Sequence, residues 1–310
     1  MKYLFLLFIS AFLLINCAPK EELDARLSSG KIERVENFAS NYINARNIDV
    51  WLPDDYNDDQ KYAVLYMHDG QMLFDSMTTW NKQEWGVDEI MSTLLTSADI
   101  RNTIVVAIWN TEYRHSEYFP QKPFESLPKQ FQDSLINHGK RNGTNPLFKS
   151  GILSDNYLKF IVTELKPYID KKYSTLPDPN NTFIAGSSMG GLISMYAICE
   201  YPEVFSGAAC LSTHWVGTFD TVNNPIPNAF ANYLEQNLPD FSTHRIYFDY
   251  GTETLDALYE PYQNLVDSIM IKNGFTSTNW KTLKFDGADH SERAWSRRLN
   301  IPLQFLLPKA

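Results

Sequence analysis

Gly186-Ser187-Ser188-Met189-Gly190 sets a serine two positions from a glycine on either side, behind the apolar run 182–185 and ahead of an apolar helical pattern to residue 198. This G-x-S-x-G spacing is that of a nucleophile at a sharp strand-to-helix turn. The glycines omit the Cβ atoms that would clash where strand and helix close up, and the hydroxyl stands above the sheet edge. The first helical N–H, that of Met189, then faces the place where negative charge would develop on an attacked carbonyl. A serine alcohol needs a base that works near neutral pH, and imidazole meets that need. Of the six histidines only His290 lies beyond the last strand pattern, in Asp286-Gly287-Ala288-Asp289-His290. A carboxylate must in turn hold the imidazole tautomer and stabilise the imidazolium. Asp249, Glu253 and Asp256 all lie near the end of the preceding strand. Asp249 falls inside that strand and reads as serving the backbone or the sheet edge. Asp256, five residues past Gly251, is preferred over Glu253 on loop geometry, and the chain order Ser, Asp, His is that of an α/β-hydrolase. A second oxyanion donor is expected from His68-Asp69-Gly70-Gln71, where Gly70 lets the chain turn and frees the Gln71 N–H. His68 and Asp69 read as loop braces; no third ligand lies near them, so the chemistry calls for no metal and no cofactor.

Positioning these groups requires a buried sheet. Stretches 32–38 and 47–52 alternate apolar and polar residues, as two solvent-edge strands would, and Pro53 ends the second. Stretches 62–67 and 103–109 are nearly continuous apolar runs, the mark of strands covered on both faces, with a helical spacing over 85–95 between them. Residues 110–153 hold Pro120, Pro123, Pro128 and Pro146 and read as a long irregular excursion, of the kind that carries function. A helix is expected over 156–173, capped by Ser154 or Asp155. Beyond the elbow come a strand at 206–211, a loop with Trp215, a strand at 245–250, a helix over 256–273, a strand at 280–285 and a last helix from Glu292. The expected architecture is an α/β-hydrolase: eight mostly parallel strands with helices on both faces.

The 310 residues show no shift in composition that would divide them, so residues 31–310 read as one domain. A net charge of −10 without a basic cluster argues against nucleic acid as a partner. Residues 1–16, MKYLFLLFISAFLLIN, have one lysine and an apolar run of signal-peptide length. Leu14-Ile15-Asn16-Cys17 resembles the lipobox of bacterial lipoproteins, with Asn16 where a small residue is usual. The resemblance implies lipidation at Cys17, membrane anchoring, and a polar tether over 17–30. Ala18-Pro19-Lys20-Glu21-Glu22 is similar to tags that follow the cysteine in some surface-exposed lipoproteins. Cys199 and Cys210 lie in buried-looking patterns and read as small core residues rather than a disulfide.

The stretches 65–75, 107–110 with Arg114 and 117–120, 185–191 and His290 together resemble the esterase D-like family. That family includes feruloyl and acetyl-xylan esterases of carbohydrate esterase family one, siderophore-ester hydrolases and S-formylglutathione hydrolases. The likeness covers about residues 32 to 307 and implies Ser188 as nucleophile, His290 as base, an acid at Asp256, and oxyanion N–H groups from Met189 and Gln71. It leaves the substrate open. Arg114 and Glu117 form a charged pair in the excursion. They read as a brace, or else Arg114 faces a carboxylate or phenolate on the substrate. His214 and Trp215, just past the sixth strand, read as pocket lining. With the export signal, the leading expectation is a serine esterase that removes acyl or aryl-acyl groups from sugars at the cell surface or in the periplasm. Hydrolysis of siderophore or other small esters is the runner-up, and a glycan-binding lipoprotein without catalysis is the alternative of another class. The intact Ser, Asp, His order counts against the last.

Overall fold

The apolar runs pair into one eight-stranded sheet in the computed structural model, which describes residues 26–141, 143–219 and 221–309. In chain order the strands are β1 (Lys31–Phe38), β2 (Arg46–Leu52), β3 (Ala63–His68), β4 (Thr103–Ile108), β5 (Thr182–Ser187), β6 (Gly207–Leu211), β7 (Arg245–Gly251) and β8 (Trp280–Phe285). Across the sheet they run β1-β2-β4-β3-β5-β6-β7-β8. Among the described strands of this sheet only β2 opposes its neighbours, and every other pairing in it is parallel. Parallel strands need crossover helices, which cover both faces. On β4, Ile104, Val106 and Ile108 point into one apolar layer while Val105 and Ala107 point into the other. The first layer takes helices α2 (Ser154 to Lys172, with a π turn at Ile161–Leu165), α3 (Met189–Glu200), α4 (Ile226–Asn237) and α5 (Glu260–Lys272). The second takes α1 (Val87–Thr96) and the two C-terminal helices Glu292–Ser296 and Asn300–Leu306. Helix α3 is buried over eleven of its twelve residues, as its unbroken apolarity demands. Cys199 and Cys210 are buried free thiols.

Five expectations change. β1 is a solvent edge, but β2 lies between β1 and β4 and is buried, because its polar Asp49 is neutralised there by the Arg34 fork (2.6 and 2.8 Å) and the Trp109 indole N–H (2.8 Å). The excursion is not irregular: it contains helices Arg114–Tyr118, Gln121–Glu125 and Lys129–His138, two of which begin directly after Pro120 and Pro128. Proline breaks a helix in its interior but suits its start. For the same reason Pro225 and Pro227 introduce α4, where the pattern predicts a loop. Neither Ser154 nor Asp155 caps α2, since Ser154 Oγ accepts the Gln121 N–H and Asp155 Oδ1 accepts the Tyr196 hydroxyl.

The fifth change concerns the tether. Residues 26–30 lie on the domain rather than off it: Arg26 N donates to Asp75 Oδ2 (3.0 Å), Ser28 N to Asp88 Oδ2 (2.7 Å) and Gly30 N to Asp54 Oδ1 (2.9 Å), while Ser29 O accepts the Trp51 indole N–H. Backbone N–H groups here find carboxylates and Leu27 packs against the second apolar layer, so the stretch docks through contacts that its polar composition does not advertise. Cys17 and the leader lie outside the described residues.

Candidate active site

Parallel strands end at the same edge, and in this sheet the C-terminal ends of β3, β5, β6, β7 and β8 carry the residues with chemistry. Ser188, between β5 and α3, has φ 55° and ψ −120°. That conformation is costly for a non-glycine residue and persists only where its surroundings hold it. They do so here. Ser188 N donates to Leu211 O (2.9 Å), and Ser188 O accepts from Leu192 N (3.0 Å) and His214 N (3.2 Å). A Cβ on Gly186 would stand 2.7 Å from the Gly190 carbonyl, so the elbow can close only with glycine at that position. The first backbone bond of α3 is the one from Leu192 N, which leaves the Met189 N–H ahead of the helix ladder, as the first turn of any helix must.

The His290 Nδ1 lies 2.5 Å from Asp256 Oδ1. Asp256 is fully buried, and its Oδ2 accepts Gly251 N (2.6 Å) and Ser212 Oγ (2.6 Å). Burial alone would raise this carboxyl, but the hydrogen bonds from His290, Ser212 and Gly251 outweigh it and hold it below its ordinary value. Glu253 is exposed. Of the two carboxylates weighed for this position, Asp256 is thus the one the fold brings to the imidazole. The crossing of the β7 and β8 loops decides it. Ala288 O accepts both Thr252 N and Glu253 N (3.0 Å each), and a Cβ on Gly251 would come within 2.1 Å of that oxygen. His290 N is fixed by Thr254 Oγ1 (2.9 Å), and the ring packs edge-on against Trp295 with 15% of the side chain left exposed.

Tyr259 is the residue that pattern reading missed. Its hydroxyl stands 2.9 Å from His214 Nδ1, and its ring lies edge-on to His290. Burial drives its phenol well above the ordinary value, with the Asp256 charge adding to this and the Ser188 hydroxyl opposing it, so it is present as un-ionised O–H. Nothing in sequence marks it: it sits between a 3-10 turn and α5, where a buried tyrosine reads as core.

On the other side of Ser188, Asp69 (φ 59°) opens the turn Gly70–Met72. A Cβ on Gly70 would stand 2.7 Å from the Ala107 backbone, so glycine is again required. The turn's bonding begins with Met72 N to Asp69 O, which leaves the Gln71 N–H ahead of it. Gln71 Oε1 accepts Asn110 N (3.1 Å). Asp69 is a brace, taking Arg114 bidentately (2.7 and 2.6 Å) and Asn110 Nδ2 (2.6 Å). His68 Nδ1 stands 2.8 Å from the Tyr157 hydroxyl, and burial pushes this imidazole down to about 3, so it is neutral.

Three expectations about the pocket are corrected. Arg114 does not pair with Glu117; that carboxylate is buried against Arg46 (2.6 and 2.9 Å), and the Arg114 side chain, 22% exposed, is committed to Asp69. Trp215 lines no opening, being 2% exposed with its N–H on Gln263 Oε1 (2.9 Å) and its ring against Phe248. His214 is buried on Tyr259, and the ring that extends outward from it is Phe219, 5.7 Å away between centroids. Phe219 with Phe131, Leu135, Leu147, His138 and Thr218 lines a cleft of about 450 Å³ between the excursion and the loop after β6. A larger cleft of about 660 Å³ lies at the opposite end of the sheet, among Arg101, Arg245 and Phe241.

An α/β-hydrolase sheet with a strained serine at its elbow and a buried carboxylate on a histidine beyond its last strand defines a class of hydrolytic enzymes. Residues 40–306 match the family described as "Putative esterase", and the chain belongs to that family. Among curated proteins it is similar to the uncharacterized protein YbbA of Bacillus subtilis, 26% identical over 172 residues, covering 55% of this chain and 58% of that protein. It is also similar to YjcH of the same organism, 21% identical over 177 residues, covering 57% and 59%. The matches thus span less than two thirds of those relatives' own length. Among solved structures it is similar to a ferulic acid esterase of Anaeromyces mucronatus in complex with ferulic acid (TM-score 0.61, 17% identity, 90% and 91% of the two chains). An IroE-like serine hydrolase of Shewanella oneidensis (0.63, 17%, 89% and 80%) and an enterochelin esterase of Shigella flexneri (0.62, 15%, 91% and 59%) are similar to it too. These likenesses establish the shared fold.

Proposed function

We propose that the protein is an exported serine esterase that removes acyl or feruloyl groups from carbohydrate through a Ser188-His290-Asp256 acyl-enzyme mechanism. The observation that carries the reading is the 2.5 Å contact of His290 Nδ1 with buried Asp256 at the sheet edge where the elbow presents Ser188. Asp256 Oδ1 accepts a hydrogen bond from Nδ1–H and leaves Nε2 as the base. Ser188 Oγ attacks the ester carbonyl as its proton passes to Nε2, and the oxyanion formed is met by the N–H groups of Met189 and Gln71. Collapse breaks the bond to the alcohol oxygen, which takes the proton from Nε2. Water, deprotonated by the same nitrogen, then attacks the acyl-enzyme and regenerates Ser188 with release of the acid.

The substrate class rests on the cleft beside His214, whose phenylalanine and leucine lining with interspersed polar groups suits an aromatic or short acyl chain next to hydroxyl-bearing sugar. The ferulic acid in complex with the similar Anaeromyces mucronatus esterase supports it. A second reading, hydrolysis of a siderophore or other small ester, is favoured by the likeness to the IroE-like hydrolase and the enterochelin esterase. Turnover of p-nitrophenyl acetate, methyl ferulate, acetylated xylan and a catecholate siderophore ester tests both. The expected result is hydrolysis of the first three, with methyl ferulate or xylan preferred to the siderophore. Siderophore turnover alone would support the second reading, and binding of xylan with no ester cleaved would support the non-catalytic alternative.

Export by residues 1–16 and lipidation at Cys17 belong to the same proposal. With residues 26–30 docked, only residues 18–25 separate Cys17 from the domain, so Cys17 lies at most ~32 Å from Arg26 with the chain fully extended. The active site would then work close to the bilayer surface. A lipidated cysteine with two or more acyl chains anchors stably where one chain would not. Cys17→Ser is therefore expected to move an active enzyme from the membrane to the soluble fraction, as read by fractionation and intact mass. A wild-type protein that is soluble and carries no lipid would defeat the anchor and leave an ordinary secretory signal.

A further inference from the structure

The Ser212 hydroxyl sits beneath Asp256 at a junction of side chains. Its oxygen accepts Trp295 Nε1–H (2.9 Å) and Arg298 Nη2–H (3.0 Å), and it stands 2.6 Å from Asp256 Oδ2. Indole and guanidinium nitrogens donate and cannot accept. The oxygen therefore already receives two hydrogen bonds, and its own proton has one acceptor left, Asp256 Oδ2. With the Gly251 N–H also on Oδ2, that oxygen is held by two donors, and Oδ1 is left for His290 Nδ1.

The junction is anchored from below. Arg298 forks onto Asp249 through Nε (3.1 Å) and Nη2 (2.8 Å), and Asp249 also accepts the Tyr247 hydroxyl (3.0 Å) and Ser212 N (3.2 Å). Ser212, Asp249, Asp256, Trp295 and Arg298 are all buried. The Ser212 backbone has φ 42°, a conformation that glycine adopts without strain and that serine resists. The hydroxyl is what the serine side chain adds at that position.

We infer that Ser212, oriented by Trp295 and Arg298, is a positioning residue for the catalytic carboxylate. It directs a donated hydrogen bond onto Oδ2, holds Asp256 as an anion in one plane, and so keeps Oδ1 on His290 Nδ1–H and the Nε2 lone pair available as base. This rests on the reading of Ser188, His290 and Asp256 as the catalytic group. It also gives a part to Asp249, which does not touch the imidazole but holds Arg298 beneath Ser212.

The test is Ser212→Gly and Ser212→Ala in the full chain, with Ser188→Ala in parallel. Glycine suits the backbone, so a role confined to the chain path would leave Ser212→Gly unimpaired. Loss of orientation at the acid is expected to lower kcat on p-nitrophenyl acetate on the order of 10²-fold in both variants. KM should stay within about twofold, since substrate contacts are untouched. The downfield NMR resonance of the His290 Nδ1 proton is expected to move or broaden. Should either variant fail to fold, Ser212→Cys carries the test: it keeps a weaker donor in place and is expected to lose less than the full 10²-fold but more than twofold. An inactive Ser188→Ala beside a Ser212→Gly or Ser212→Cys with parental kcat and an unmoved Nδ1 proton would overturn the role of Ser212 alone. An active Ser188→Ala would remove the catalytic reading itself, and this inference with it.

Discussion

Ser188→Ala is expected to lower kcat on p-nitrophenyl acetate by roughly 10⁴-fold or more, His290→Ala by a comparable factor, and the double substitution by little beyond either. The reason is mechanical: without the serine oxygen there is no acyl-enzyme, and without the imidazole the serine keeps its proton, so either loss disables the same step. What remains is the activity of a site that still binds ester and still offers the Met189 and Gln71 N–H groups. Ser188→Gly should be equally inactive, yet it is expected to melt at higher temperature. The φ 55°, ψ −120° backbone strains serine but not glycine, and ~1 kcal/mol of gain is left after glycine's larger unfolded-state entropy is set against the relief. Steady-state kinetics and thermal melts of the four variants and the parent decide the matter. Additive losses in the double variant would mean that the two residues do not act as one unit.

Asp256→Asn carries the second large effect, a fall in kcat of roughly 10³- to 10⁴-fold, while Glu253→Gln should stay within a few-fold of the parent. Asparagine can turn an NH₂ toward Nδ1, which favours the imidazole tautomer with its proton on Nε2, the nitrogen that has to accept one. Glu253 is exposed and has no part in the contact. A severe Glu253→Gln with a mild Asp256→Asn would reverse the assignment. Stability should report the same carboxylate. Its folded pKa lies below the ordinary value, so the stabilisation it contributes is present above about 3.9, the unfolded value, and is lost as pH falls from there through the lowered folded value. Urea unfolding between pH 5 and 3 should therefore show a steeper acid loss in the parent than in Asp256→Asn, whose amide does not titrate.

The candidate site was legible in the sequence to the extent that it is written in local spacing. The elbow glycines, the apolar runs of β3 to β6 and the position of His290 after the last strand each depend on residues within a few places of one another. Backbone geometry follows from such spacing, through the period of two in strands and the absence of a Cβ at tight crossings.

Partnership between side chains was not legible, because it is set across distances no local pattern spans. Arg114 finds Asp69, 45 residues away, rather than Glu117 three residues away; Arg46 takes Glu117 from 71 residues away; Arg298 reaches Ser212 across 86. Each of these charges or donors is partly or wholly buried, and a buried polar group must find a partner wherever the fold has placed one. The same holds for Asp256 over Glu253. Both lie close enough in sequence, and the choice falls to the crossing of two loops over Gly251, where Ala288 O fixes the path of one chain and the His290 ring comes down onto the buried carboxylate. The residue types and their order thus determined that a serine, a histidine and an acid would meet at one sheet edge. Which acid, held by which neighbours, was decided by the tertiary structure, since only the packed chain removes the competing partner, water, from around them.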